Sequence, residues 1–362
     1  MNPTILSVGT AVPCYSFAQH EICEHLIKIF SVDEASQETI RKIYNHSLIQ
    51  RRYSVIGDFK NDPLHWHFWG KDFPKTSPGM TSRNHVYKRE APELAFLASE
   101  KALKQWGGDY QDITHVISVS CTGMMAPGIE FELSQRLNFA PSVNRLGINF
   151  MGCFGAFKGL SVAHAFVKEN PSHRVLIVCT ELCSLHFQNE MGMENMVANS
   201  LFSDGAAALV LGAQPKKHEK PLWELHNVQS TFLKETKDKM SWEASDHGFL
   251  MKLSPQVPVL IKQSIKPFVE KLLSENISAS HCNWAIHPGG KSIVQAVERT
   301  LGLHPAQTQA SWDTLCNYGN MSSATLLFVL ERLQQLGQPH PWTAALGFGP
   351  GLSIEGLLLK SL

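Results

Sequence analysis

The order strand, glycine-containing loop, helix occurs twice in this chain, and that repetition limits its architecture more than any other feature. The segment "DITHVISVSCTGMMAPGIEFELSQRL" reads as an apolar β run, a Gly/Pro loop and a helix, and "SASHCNWAIHPGGKSIVQAVERTL" repeats the order. Each is followed by a turn feeding an apolar helix, "MGCFGAFKGLSVAHAFV" in the first half and "NYGNMSSATLLFVLERL" in the second. Then "HRVLIVCTELCS" matches "WTAALGFGPGLS" as a strand running into a loop. Cys121 and Cys153 are 32 residues apart and His287 and Asn320 are 33 apart, which pairs Cys153 with Asn320. The expectation is an α/β protein of two related halves, 1–220 and 221–362. In such a duplication, strand ends and helix starts of both halves converge on one crevice, where ligands usually bind.

With 362 residues, 43% hydrophobic and 18% charged, the chain has ample material for a large core. Lys plus Arg and Asp plus Glu both total 32, so no long-range field favours nucleic acid or an anionic membrane as partner. No window reaches eighteen uninterrupted apolar residues, and "MNPTILSVGTAVP" lacks a basic start followed by a long apolar run. A cytoplasmic location is expected. The eight cysteines are scattered, mostly in apolar runs, which is the usage of a reducing compartment. Cys179 and Cys183 have no second pair nearby, and "HWHF" with His65 and His67 reads as a structural or surface loop, so no metal site is expected.

Convergence of the halves makes neighbours of Cys153, His287 and Asn320, each at a strand end or helix start. A cysteine at a helix N-terminus beside a histidine has its thiolate favoured by the dipole and by ion pairing, so its pKa is expected below that of free cysteine. Gly152 and Gly155 are read as leaving room for an acyl chain beside the sulfur. His287 and Asn320 can aim donors at one oxygen, an oxyanion hole made of side chains. Such a hole stabilises an enolate as readily as a tetrahedral intermediate, which suits acyl transfer and decarboxylation of a malonyl thioester.

These residues also carry a resemblance. The chain resembles the type III polyketide synthases, the chalcone synthase-like branch of the thiolase fold, over nearly its whole length: "ILSVGTAVP", "GCFGAFKGL", "LFSDGAAALVLG", "IHPGGKSIVQAVE", "YGNMSSATLLFVL" and "GFGPGLSIEGLLL". The resemblance implies a layered α-β-α-β-α architecture, a homodimer, acyl-CoA and malonyl-CoA as substrates, and no bound cofactor. It implies Cys153 as the acyl-carrying nucleophile and His287 with Asn320 as the decarboxylation pair. Phe202 matches a phenylalanine separating the acyl-pantetheine tunnel from the elongation cavity. Cys121, Glu181, Cys183 and Ser322 match cavity-lining positions, and Gly349, Pro350 and Gly351 the loop that scaffolds the cavity. For a second cavity aromatic of the plant enzymes, Phe249 and Met251 both remain open, with Met251 taken as the lining residue. Arg51 and Arg52 are the expected contacts for CoA phosphates.

Two departures bear on the product. Cys121 stands where chalcone-forming enzymes have a threonine, and Ala126 where they have a methionine reaching across the dimer. Both match the bacterial branch, and "MSWEASDHGFLMKLSPQVP" resembles its alkylpyrone and alkylresorcinol synthases, which accept fatty acyl starters. Glu181 and Ser322 without a neighbouring hydroxyl imply pyrone formation over resorcinol. Two other readings stand beside this one: a chain-initiating ketoacyl-ACP synthase performing one condensation, and a non-catalytic binding partner of the same fold.

Overall fold

A computed structural model describes residues 2–190, 192–337 and 339–362. The first half runs through β1 (Thr4–Ala11), β2 (Tyr15–Ala18), α1 (Gln19–Phe30), α2 (Glu34–His46), β3 (Arg51–Ser54), α3 (Met80–Trp106) and β4 (His115–Ser120). It continues through α4 (Ile129–Arg136), β5 (Asn144–Asn149), α5 (Gly155–Glu169), β6 (Arg174–Leu182), α6 (Met193–Leu201) and β7 (Asp204–Gly212). The second half has β8 (Trp223–Phe232), β9 (Met240–Ser245), β10 (Gly248–Leu253), α7 (Val257–Leu273), β11 (Cys282–Ile286) and α8 (Lys291–Leu301). It closes with α9 (Gln309–Tyr318), α10 (Thr325–Leu336), β12 (Trp342–Gly349) and β13 (Ser353–Ser361).

The strand order β11-β12-β13-β8-β1-β7-β6-β4-β5 exposes the duplication. Outward from the junction, β1-β7-β6-β4 and β8-β13-β12-β11 have the same order and the same directions. Thus β4/β6 and β11/β12 are parallel, while β6/β7 and β12/β13 are antiparallel. The half-sheets meet where Thr4 and Ile5 pair with Glu224 and Trp223.

Side chains of the buried strands alternate between two cores, as a period of two demands. In β6, Val175, Ile177 and Cys179 face an inner core shared by both half-sheets, and Leu176, Val178 and Leu182 face an outer one. The inner core holds α5 and α10, which are apolar nearly all round because sheets cover both sides. Helices α3 and α4 pack outside the first half-sheet and α7 and α8 outside the second, giving the five expected layers. Phe157 and Leu160 of α5 each contribute about 2 kcal/mol by burial. A side chain at Gly347 would strike the Phe157 ring, so Gly347→Ala would force the helix off the sheet.

The internal register differs from the pairing of Cys153 with Asn320. Short 3₁₀ turns, Gly152–Phe154 and Ser322–Ala324, lead into α5 and α10, and Gly152 (φ 72°) and Ser322 (φ 48°) occupy equivalent left-handed positions. The counterpart of Cys153 is therefore Ser323, and that of Cys121 is His287, each of the latter two directly following its strand. The offset arises because the second half places helix α9 where the first has strand β5.

Candidate active site

Cys153, His287 and Asn320 line one tunnel of about 690 Å³. Cys153 sits in the 3₁₀ turn ahead of α5, and His287 is fixed at the end of β11 by its N–H, which donates to the Leu346 carbonyl at 2.7 Å. Asn320 lies ahead of its 3₁₀ turn, tied to the segment around Phe202: its N–H donates to the Leu201 carbonyl, and Ser203 N–H donates to its carbonyl, both at 2.9 Å. Its side-chain Oδ1 accepts from Ser322 N–H at 2.8 Å, Nδ2 donates to the Gly289 carbonyl at 3.2 Å, and the amide stands 4.0 Å from Cys153 Sγ. Both ring nitrogens of the buried His287 lack a hydrogen-bond partner among the described residues. An unpaired imidazole is costly to bury, so this one is kept for a ligand.

Burial sets the charge state against the expected ion pair. Desolvation pushes the Cys153 thiol up to about 11, although the Ser322 hydroxyl and the Asn320 amide favour the thiolate, and it pulls His287 down to about 3. The resting site is thus a neutral thiol beside a neutral imidazole, and the expectation of a depressed thiol pKa is corrected.

Beyond the sulfur the tunnel narrows to a cavity of about 20 Å³. Cys121, Cys183, Ser322 and Pro350 line it, and Phe202 and Met251 border both it and the tunnel. Cys121 Sγ accepts from Gly152 N–H at 2.9 Å, which points it inward. Phe249 lies deeper, against His186, so Met251 is the residue at the junction. Sequence reasoning did not single out Trp242, which fills much of this space and donates from Nε1 to the Cys121 carbonyl at 2.8 Å. Cys183, Phe202, Trp242 and Met251 also wall a second, apolar recess of about 60 Å³ floored by Phe59, Trp69 and Phe187.

Several expected contacts fall elsewhere. Glu181 is fully buried behind the cavity wall, where its Oε2 accepts from Cys121 N–H and Thr122 Oγ1, both at 2.9 Å, and its Oε1 from Ser323 Oγ. Ser323 and Thr122, not Ser322, are its partners, so hydroxyls do surround this carboxyl. Burial raises its pKa against those bonds. Arg52 is also buried: Nε donates to Gln19 Oε1 and NH1 to the carbonyls of Asn199 and Phe202, so it ties segments together and is unavailable to a phosphate. Arg51 is exposed but lines a different depression, with His20 and Asn317. Gly152 and Gly155 do not open space for an acyl chain, because side chains there would strike Pro350 and Val119. Gly349 backs onto Phe154, and Gly351 N–H donates to the Met240 carbonyl at 2.9 Å, fixing the turn that presents Pro350.

With this geometry in hand, comparison with known proteins is specific. Residues 2–215 match the N-terminal domain of chalcone and stilbene synthases, and residues 224–362 match their C-terminal domain. The chain is 35% identical over its full length to probable polyketide synthase 1 of Dictyostelium discoideum, of which it spans only 12%. It is 31% identical, over 99% of its length and 95% of the relative, to type III polyketide synthase C of Arabidopsis thaliana. The crystal structure of the C-terminal type III polyketide synthase domain of Steely1, a type I/III hybrid from Dictyostelium, superposes with a TM-score of 0.94 at 36% identity, covering 100% of this chain and 99% of that one. The fold is thiolase-like. These matches leave no ground for the ketoacyl-ACP synthase reading.

Proposed function

The chain belongs to the chalcone and stilbene synthase family of type III polyketide synthases, enzymes of decarboxylative condensation, and we propose that it converts fatty acyl-CoA starters and malonyl-CoA into alkylpyrones. One observation carries this reading: a thiol, an unpartnered imidazole and a carboxamide from two halves of the chain converge at the inner end of one tunnel.

In the loading step the Cys153 proton passes to His287, the sulfur bonds to the acyl carbon, the acyl–CoA bond breaks, and the CoA thiolate takes the proton. Charging the pair together leaves net charge unchanged, which limits the cost in a buried site. The imidazole then returns to neutrality and, with the second N–H of Asn320 Nδ2, donates to the thioester carbonyl of malonyl-CoA. Carbon dioxide leaves and its bonding pair remains as an enolate held by those donors. The enolate carbon attacks the Cys153 thioester, its carbon–sulfur bond breaks, and the sulfur leaves as a thiolate that takes a proton from solvent; return of the extended chain from CoA to Cys153 by the loading chemistry permits the further rounds a pyrone needs. This chemistry requires no bound cofactor, because loss of carbon dioxide supplies the electron pair.

Three further features support the finer reading. The tunnel wall is largely apolar, with Val197, Leu201, Met240, Leu253 and Val257 on it, which suits an alkyl tail. Protein donors engage both oxygens of Glu181, so it is poorly placed to order a hydrolytic water, and attack of the chain's own enol oxygen on the thioester, giving a pyrone, is favoured. The partner is a second copy of this chain: strand β5 pairs with β4 on one side only, and its flank exposes Met124, Leu146, Phe150 and Met151. Among the described residues no helix is long and apolar enough to cross a membrane.

The test is product analysis by chromatography and mass spectrometry, using a panel of acyl-CoA starters with malonyl-CoA and an authentic alkylresorcinol standard. Pyrones with an alkyl tail are expected. A resorcinol-dominated profile would contradict the cyclisation, and no condensation with any starter would contradict the activity.

A further inference from the structure

Ser322 opens the 3₁₀ turn ahead of α10 and is buried, yet its backbone is left-handed at φ 48°, a conformation that a β-carbon disfavours. Its equivalent in the first half, Gly152 at φ 72°, makes the same turn without that strain. A side chain held at this position despite its cost points to a use for its hydroxyl. We infer that Ser322 is a further catalytic group, whose hydroxyl donates to the Cys153 sulfur whenever that sulfur carries charge. The inference rests on the proposed condensation chemistry.

The geometry of the turn aims that hydroxyl. Ser322 N–H is anchored on Asn320 Oδ1 at 2.8 Å, and the left-handed φ lets the chain enter α10 from this anchor with the side chain on the cavity wall it shares with Cys153. The cavity is about 20 Å³, room for roughly one water, so solvent can do little for a thiolate there. The Ser322 hydroxyl favours the charged sulfur more than the Asn320 amide does. Other ionisable groups about the sulfur offer less. Cys121 and Cys183 are buried thiols whose pKa values burial raises, the Glu181 carboxyl opposes a second negative charge, and burial keeps His287 neutral at rest. His46, Glu194 and Lys291 also border the tunnel. A thiolate forms twice in each round, when the chain is loaded and when the enolate displaces the sulfur, so one donor serves both steps.

The experiment compares wild type with Ser322→Ala and with Ser322→Gly, which also removes the hydroxyl but suits the left-handed backbone and so guards against misfolding of the first variant. Alkylation of Cys153 by iodoacetamide, followed by intact-protein mass from pH 7 to pH 10, reads the thiolate directly. Both variants should react about tenfold more slowly at each pH, the low end for losing one hydrogen bond to a charged group, which moves the profile up by about one pH unit. Acylation by an acyl-CoA starter should slow to a similar degree. Release of carbon dioxide from malonyl-CoA should fall less than twofold, because the donors of His287 and Asn320 remain. An alkylation profile unchanged in both variants, or carbon dioxide release falling in parallel with alkylation, would overturn the inference. Wild-type protein that is alkylated at Cys153 but takes up no acyl group from any starter would instead overturn the function on which it rests.

Discussion

Asn320 holds its amide 4.0 Å from Cys153 Sγ while donating to the Gly289 carbonyl at 3.2 Å, so the loop that carries His287 also fixes Asn320 against the nucleophile. Replacing Asn320 by Asp keeps the shape and removes both N–H donors. Decarboxylation of malonyl-CoA should fall about 10²- to 10³-fold, the usual effect of losing one oxyanion donor. Acylation of Cys153, read by intact-protein mass, should persist. Release of carbon dioxide at the wild-type rate would remove Asn320 from the enolate site.

The raised pKa of Cys153 fixes the sign of a pH dependence. Below about 11 the thiolate fraction grows with pH, so inactivation by iodoacetamide should accelerate roughly tenfold per unit between pH 7 and pH 10. Peptide mapping should place the label on Cys153. A rate that levels off below pH 7 would mean that an ion pair with His287 exists at rest.

Trp242 closes the cavity beyond the thiol, and its indole is large against the roughly 20 Å³ left there. Trp242→Gly should join that cavity to the apolar recess and lengthen the products by at least one malonyl unit with the same starter. An unchanged product mass distribution would show that chain length is set elsewhere.

Much of this architecture is legible in the sequence. The duplicated strand, loop and helix, and the positions of Cys153, His287 and Asn320 at element ends, follow from local patterns. The internal register is less legible, because α9 replaces β5 and the equivalence of Gly152 with Ser322 appears only in the backbone. Arg52 looks like half of a solvated basic pair, and only the packing of α1, α2 and α6 around it reveals its burial. The state of the thiol is poorly legible for a related reason: dipole and neighbour are local, whereas desolvation depends on all five layers. Trp242 stands in a two-stranded hairpin whose sequence, "MSWEAS", alternates without showing which face meets the thiol.

Glu181 gives a stability test. Removing a hydroxyl from its buried network, as in Thr122→Val or Ser323→Ala, should cost about 1–3 kcal/mol in urea unfolding. Ser322→Ala, which leaves Glu181 untouched, should cost less. Equal effects at Ser322 and Ser323 would place the carboxyl's partner wrongly.

In the proposed mechanism Cys153 carries the acyl chain while His287 and Asn320 release carbon dioxide. Incubation of Cys153→Ala and His287→Ala with malonyl-CoA labelled in its free carboxylate separates the two roles. Cys153→Ala should form no condensation product yet still release labelled carbon dioxide, and His287→Ala should do neither. Condensation product from Cys153→Ala, or undiminished carbon dioxide release from His287→Ala, would contradict the account.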